Sequence, residues 1–422
     1  VEAFIVKGGR SLSGKIKASG AKNAALPIMA ASLLTEGEIV VSNVPDLADV
    51  KTMAELLSGL GVEVRFDDGS VTLDASGDIG AEAPYDVVKR MRASYYVLGP
   101  LIARFRKAKV SLPGGCAIGA RPIDLHLRGM RALGCDIDVV HGYLDARASG
   151  LLGTHIHLSG PKGPSVGATI NVMFAATLAK GSTVIEGAAC EPEVIDCADF
   201  LNCIGGRVEG AGTPIIKVKG VRRLGAGEYR IIPDRIETGT IACAAAITRG
   251  EVEIAGCRPE HLGAVIEKMR EAGVSIEVRK RSLFVGRTGK LRPVSVTVNH
   301  YPGFPTDMQA QMMALMTVVS GTSVVTETIF ENRFMHVPEL LRMGAHIKVD
   351  GNHAVVTGVK RLTGAPVMAS DLRASAALVL AALVADGQTR ISRVYHLDRG
   401  YESFDMKMRK LGARIERVKN DE

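Results

Sequence analysis

Residues 60–64 read LGVEV, and the same short pattern returns five times: LGCDI at 133–137, IGGRV at 204–208, AGVSI at 272–276, MGAHI at 343–347 and LGARI at 411–415. The shared glycines at 61, 134, 205, 273, 344 and 412 lie 73, 71, 68, 71 and 68 residues apart. A near-constant period along a whole chain marks repeated supersecondary units. Upstream of each pattern an Ala/Met/Leu-rich helix stops at a turn, as at Gly37, Gly181, Gly250, Gly321 and Gly387. A strand follows (38–42, 183–186, 251–255, 322–327, 388–392), then an amphipathic helix, the shared glycine as its C-cap, and an alternating strand such as 62–66 or 415–418. The stretches 167–179, 236–248 and 371–385 are apolar on nearly every side, so those helices are buried. Six such units predict an α/β architecture with sheets outside and helices inside, in two groups of three.

Composition narrows the function classes. The 422-residue chain has ample core and a net charge of +7. That balance suits anionic small molecules, nucleic acid or an acidic surface. No basic run exceeds 104–109 and no aromatics interleave it, which argues against a nucleic-acid groove. Seven cysteines include no CxxC pair, and neither zinc spacing nor a disulfide framework is present. The N-terminal VEAFIVKGG lacks the regions of a signal peptide. The longest apolar runs, such as 374–385, fall short of the roughly 20 residues that span a bilayer. A reducing cytoplasm is the expected setting.

Polar motifs gather at the starts of the buried helices. Residues 9–15 fit GxxxxGK, but Ile16 follows Lys15 where a P-loop needs Ser or Thr, and the stretch reads as a hairpin turn. Lys22 opens the first buried helix, where the helix dipole disfavours a cation unless an anion shares the site. Arg92 and Ser94, Ser165–Thr169, Asp234–Glu237, Thr306-Asp307 and Asp371–Arg373 open the other five. If each trio packs in parallel, these ends converge on one face suited to a polyanion. His155 and His157 share a strand face, and with no third ligand nearby they read as surface histidines. Arg121, Arg333 and Arg399 occupy equivalent turns of three repeats, where loops at one rim carry sites. Cys116 lies in LPGGCAIGARPIDLH (112–126), in a glycine-rich loop longer than its counterparts. It reads either as a reactive thiol favoured by Arg121 or as a small residue in a surface turn.

Nine motifs in order resemble the enolpyruvyl transferase family, in the branch that acts on UDP-N-acetylglucosamine. They are SGAKNAALP (19–27), MRAS (91–94), LPGGCAIGARPIDLH, GPSVGAT (163–169), PDRIETGT (233–240), FPTDMQAQ (304–311), ENRFMHVPEL (331–340), DLRASAALV (371–379) and YHLDRGYE (395–402). The resemblance implies a two-domain inside-out α/β barrel. One domain would be residues 22–230, containing Cys116; the other, discontinuous, would join 1–21 to 231–422, with the active site in the interdomain cleft. It implies transfer of the enolpyruvyl group of phosphoenolpyruvate to the sugar 3′-hydroxyl, with release of phosphate, in peptidoglycan precursor synthesis.

Roles carry over residue by residue. Cys116 resembles the proton donor, on a loop that would close as a lid, and Asp307 resembles the general base. Lys22, Asn23, Arg121 and Arg399 would hold phosphoenolpyruvate. Arg92, Arg121, Pro122, Ile123, Asp124, Leu125, Lys162, Gly163, Ser165, Val166, Gly167, Asp307 and Ile329 would hold the UDP-sugar. Arg333, Asp371 and Arg373 would support them, with an ion pair of the 371–373 stretch, within or between domains, as the plain structural reading. No metal or cofactor is implied, and the partners are the two small-molecule substrates, without nucleic acid or membrane insertion. A shikimate 3-phosphate enzyme and a non-catalytic UDP-sugar-binding relative are the competing readings.

Overall fold

The computed structural model describes residues 2–112 and 123–419. They form two compact units, residues 20–112 with 123–232, and residues 2–19 with 233–419.

The described residues of each unit hold three four-stranded sheets of one design. In the first unit, Glu38–Ser42 pairs antiparallel with Ser70–Asp74, which pairs antiparallel with Glu63–Asp67. A fourth strand, Gly227–Arg230, lies parallel to Glu38–Ser42 on its other edge, Tyr229 opposite Val41. Lys107–Ser111 and Ser182–Glu186 head the other two sheets in the same way, with Glu82–Ala83 and His155–His157 as their parallel strands. Gly227–Arg230 follows the third repeat yet pairs with the first, so strand exchange closes the three repeats on one another.

The second unit repeats this around Glu251–Ala255, Thr322–Thr326 and Gln388–Ser392. Here the N-terminal segment supplies two of the strands. Ser13–Lys17 runs parallel to Glu251–Ala255, while Glu2–Lys7 sits between Gln388–Ser392 and Arg414–Lys419. This corrects the hairpin reading of the GxxxxGK stretch: its flanking strands belong to different sheets. A buried strand also precedes it, since Ala3, Phe4 and Val6 are fully enclosed. The P-loop reading still fails, because a strand and not a helix follows the lysine.

Six inner helices are wrapped by these sheets: Lys22–Ala31, Leu98–Phe105 and Val166–Thr177, then Arg235–Ile247, Gln309–Met316 and Leu372–Ala382. Every residue of Arg235–Ile247 and of Gln309–Met316 is buried. Two inner helices are entered through a 3-10 turn, Arg92–Val97 in the second repeat and Thr306–Met308 in the fifth, and two end at an arginine rather than a glycine in the left-handed region, Arg106 (φ 62°) and Arg249 (φ 53°).

The shared glycines show why the period is readable. All six adopt positive φ between 84° and 103°. In each, the residue after the glycine, or the second glycine at 206, donates back to the last helical turn: Val62 to Leu57, Cys135 to Met130, Gly206 to Leu201, Val274 to Met269, Ala345 to Leu340 and Ala413 to Met408, at 2.7–3.1 Å. That bond closes the helix end only with a left-handed residue at the glycine, where a Cβ is disfavoured.

The chain passes between units after Ser19 and after Ile232. Within the first unit Ala21 N donates to Ile232 O (2.8 Å), and Asp196 accepts from Ile232 N and the Tyr229 hydroxyl. Within the second, Asp234 N donates to Ser19 O (2.8 Å), while buried Glu237 accepts from Ser19 N (2.7 Å) and Lys407 Nζ (2.5 Å).

Candidate active site

The first unit presents Lys22 as the first residue of an inner helix whose start has no side-chain cap. Its Nζ lies 3.0 Å from Asp49 Oδ2, with side chains only 12% and 6% exposed. The anion expected to offset the dipole is thus, in part, an internal carboxylate. Asp49, in the first turn of helix Ala48–Gly59, escaped the sequence reading; its signal was a buried position in an otherwise amphipathic pattern. Gly20 fixes the approach to Lys22 and Asn23: a Cβ there would land on the carbonyl oxygen of Asn43.

A second cluster of the same unit joins segments far apart in sequence. Asp124 and Leu125 begin helix Asp124–Ala132, capped by Ile123. Strands Ser159–Gly160 and Gly163–Pro164 form a tight hairpin with Lys162 in its turn. Leu125 packs on Gly160, and Gly167 abuts the His126 ring. Ser165 caps helix Val166–Thr177 by accepting from Ala168 N (3.3 Å). Val166 and Gly167 therefore lie in a helix first turn, whose backbone N–H groups suit an anion. Buried His126, 3.2 Å from Asn171 through Nδ1, was also missed. Burial, then the nearby Arg92 charge, pushes its pKa down to about 4, so the ring is neutral at pH 7 and adds no charge to the cluster.

In the second unit Asp307 sits in the 3-10 turn Thr306–Met308 that leads into helix Gln309–Met316. Arg333 Nη2 donates to Asp307 Oδ1 at 2.8 Å and Arg373 Nη2 to Oδ2 at 2.9 Å. The guanidiniums are buried, at 5% and 3% exposure, while the carboxylate keeps 26%. Burial opposes the Arg373 charge, but Asp307, Tyr401 and Asp234 together hold its pKa above the ordinary arginine value. Arg373 thus makes the ion pair expected of the 371–373 stretch, within its own unit. The Asp371 carboxylate instead caps helix Leu372–Ala382, accepting from Arg373 N (2.8 Å) and Ala374 N (3.0 Å), which frees the guanidinium for Asp307.

Glu327 does for Ile329 what the arginines do for Asp307. Fully buried, it accepts from Ile329 N (2.9 Å) and Phe330 N (3.3 Å), and from the hydroxyl of Thr306 (2.7 Å), the neighbour of Asp307. It too went unread in the sequence, where it looked like the end of a strand. Arg399 follows helix Tyr395–Asp398, and Gly400 is pressed so close to Leu372 that a Cβ would collide with it. The Arg399 turn is thereby seated on the start of the helix that carries Arg373. Cys116, Arg121 and Pro122 lie outside the described residues.

Five of the six described cysteines are held above the usual thiol range by burial, which disfavours the thiolate. Burial pushes Cys135 and Cys243 up to about 12 and Cys257 to about 11, raises Cys197 further, and also raises Cys190. Cys203 is exposed and rests on the Glu228 carbonyl. His155 pairs with Glu186 at 3.0 Å, and no group of three metal-binding side chains occurs among the described residues.

Comparison with known proteins now adds to this geometry. A family profile, EPSP synthase (3-phosphoshikimate 1-carboxyvinyltransferase), matches residues 6–408. UDP-N-acetylglucosamine 1-carboxyvinyltransferase 2 of Carboxydothermus hydrogenoformans is 53% identical over 420 residues, 99% of this chain and 100% of the relative. The UDP-N-acetylglucosamine 1-carboxyvinyltransferase of Desulfatibacillum aliphaticivorans is 54% identical over 419 residues with the same coverage. Among solved structures, the enolpyruvyl transferase NikO from Streptomyces tendae superposes with TM-score 0.89 at 27% identity, covering 99% of both chains. An EPSP synthase from Acinetobacter baumannii shares the fold at TM-score 0.76 and 16% identity. Matched along nearly its whole length, the chain belongs to the carboxyvinyltransferase, or enolpyruvyl transferase, family.

Proposed function

We propose that this enzyme transfers the enolpyruvyl group of phosphoenolpyruvate to the 3′-hydroxyl of UDP-N-acetylglucosamine and releases inorganic phosphate, a cytoplasmic step toward peptidoglycan. The observation that carries this reading is the Asp307 carboxylate, partly exposed yet gripped on both oxygens by buried arginines. Full-length relatives above half identity that bear the name of this activity support it.

The chemistry is addition followed by elimination. A proton reaches the CH2 carbon of phosphoenolpyruvate, making it a methyl group and its neighbour cationic. The sugar oxygen bonds to that neighbour while its hydroxyl proton passes to Asp307. A methyl proton then leaves, the vinyl double bond reforms, and the carbon–oxygen bond to phosphate breaks. Cys116 is the candidate acid; a free thiol with pKa ~8.5 is protonated at neutral pH. Two guanidiniums keep Asp307 ionised and ready to accept. Lys22, Asn23, Arg121 and Arg399 are assigned to the phosphate and carboxylate of phosphoenolpyruvate, where preorganised positive charge acts on the charge that moves. Arg92, residues 121–125, Lys162, Gly163 and Ser165–Gly167 are assigned to the UDP portion, with the helix start at Val166 suited to its diphosphate. Ile329, placed by Glu327, is assigned to the sugar. Asp371 acts through the helix it caps.

Phosphate release from phosphoenolpyruvate tests the assignment. It should require UDP-N-acetylglucosamine and should not occur with shikimate 3-phosphate; the reverse preference would overturn it. Tight UDP-sugar binding with no turnover in saturating phosphoenolpyruvate would point to a non-catalytic relative.

A further inference from the structure

The mechanism leaves a cluster of buried polar side chains in the second unit without a task. Thr240, Gln311 and Tyr401 are 0%, 0% and 1% exposed. Gln311 Nε2 reaches the Asp307 backbone carbonyl (2.8 Å), Thr240 Oγ1 (3.0 Å) and the Tyr401 hydroxyl (3.1 Å). The Thr240 and Tyr401 hydroxyls bond to each other at 2.9 Å. The Tyr401 ring lies under Arg373, whose guanidinium carbon is 5.1 Å from the ring centroid. Arg373 then returns to the Asp307 carboxylate.

Followed through, these contacts form a closed ring that begins and ends at Asp307. Thr240 comes from helix Arg235–Ile247, Gln311 from Gln309–Met316 and Arg373 from Leu372–Ala382, so the ring ties all three inner helices of the unit together. Burying polar groups among packed helices costs stability, and the cost is not fully offset here, since Gln311 Oε1 and Arg373 Nε and Nη1 are buried without a hydrogen-bond partner. An apolar trio would hold the fold without that cost. What apolar side chains could not do is hold one aspartate at both its carbonyl and its carboxylate.

We propose that Tyr401, Gln311 and Thr240 are positioning residues for Asp307: Gln311 fixes its backbone, and Tyr401 aims Arg373 at its carboxylate. The inference rests on the reading of Asp307 as the base. Other charged groups face the same assembly. Arg333 holds the second carboxylate oxygen, and Asp234 acts on both Arg373 and Tyr401. His336, neutral at pH 7, lies beside Arg333 and Asp371. None of these is altered by removing a hydroxyl from the ring.

The test compares Tyr401→Phe, which keeps the aromatic face and loses the hydroxyl, with Thr240→Val and Thr240→Ser. Turnover and KM for both substrates are measured across about pH 5.5 to 9. Tyr401→Phe and Thr240→Val should each lower kcat about tenfold and leave KM within about twofold. Because a loosened Arg373 stabilises the carboxylate less, the acid limb of kcat should move to higher pH. Thr240→Ser should recover most of what Thr240→Val loses. Should Tyr401→Phe fail to fold, the Thr240 pair decides by the same readouts. Wild-type kcat and an unmoved acid limb in the hydroxyl-deleted variants would overturn the proposal, as would a loss that only tracks the folded fraction. Asp307→Asn is run alongside: wild-type turnover there would sink the base assignment itself, whereas an inactive Asp307→Asn beside unaltered ring variants would sink the ring alone.

Discussion

Lys22 and Asp307 both stand where the chain enters an inner helix, in different units, and they are held in opposite ways. Lys22 places positive charge against the helix dipole and is met by the Asp49 carboxylate at 3.0 Å. Asp307 places negative charge with the dipole and is met by two buried guanidiniums. The first arrangement sets a carboxylate beside a cation that burial and dipole both oppose. The second favours the ionised carboxylate, the form that the proposed mechanism needs in order to accept a proton. Each unit thus pairs a charged residue at the start of an inner helix with opposite charge, from the same structural address in the repeat.

The comparison breaks first at Asp307. Asp307→Asn should lower kcat by about 10³-fold, because an amide accepts no proton, and should cost about 3 kcal/mol by leaving the two arginines without a counter-charge. Turnover assays and urea denaturation read the two effects separately; a variant that stays active, or is destabilised without losing turnover, would dissolve the contrast. Lys22→Met should lower kcat/KM for phosphoenolpyruvate about 10²-fold, with a smaller effect on UDP-sugar binding measured by calorimetry. Equal weakening toward both substrates would mean that Lys22 serves the site only as a partner for Asp49.

A pH series sharpens the comparison further. His126 in the first unit and His336 in the second are both buried, with pKa values lowered by burial to about 4. The unfolded chain binds these protons near pH 6.5, so their neutral forms contribute stability that is complete above that pH and lost as pH falls toward 4. For His126 the loss is on the order of 3 kcal/mol. Thermal melts should fall across this window, and His126→Gln should flatten the curve; an unchanged slope would show that His126 charges without cost in the folded state. The smallest effect belongs to the shared glycines. Gly205→Ala and Gly412→Ala meet no neighbouring atom, so each should cost only about 1–2 kcal/mol of left-handed backbone strain and leave kcat unchanged.

Those glycines also explain why so much of the architecture could be read in advance. A left-handed helix end demands glycine locally, whatever the surroundings, and six of them at one spacing exposed the repeats. The all-apolar helices were legible for a similar reason, since burial on every side removes the polar face. Strand pairing was less legible: Glu2–Lys7 and Ser13–Lys17 look like a hairpin but join separate sheets, and nothing local encodes a partner more than 200 residues away. Lys22, Asp307 and Arg373 stood out as charges at the starts of buried helices, and Arg333 as an arginine at a turn shared by three repeats. Asp49, Glu327 and Gln311 did not, because each is one polar letter in an ordinary helix or strand pattern and acts only through what folding brings to it.

The most direct test of the central claim follows the proton. With UDP-N-acetylglucosamine and phosphoenolpyruvate in D2O, addition through a methyl intermediate and elimination from it should leave deuterium on the vinylic CH2 of the product, and Asp307→Asn should form almost none of that product. Efficient transfer by the wild-type enzyme with no deuterium in the vinyl group would contradict the account.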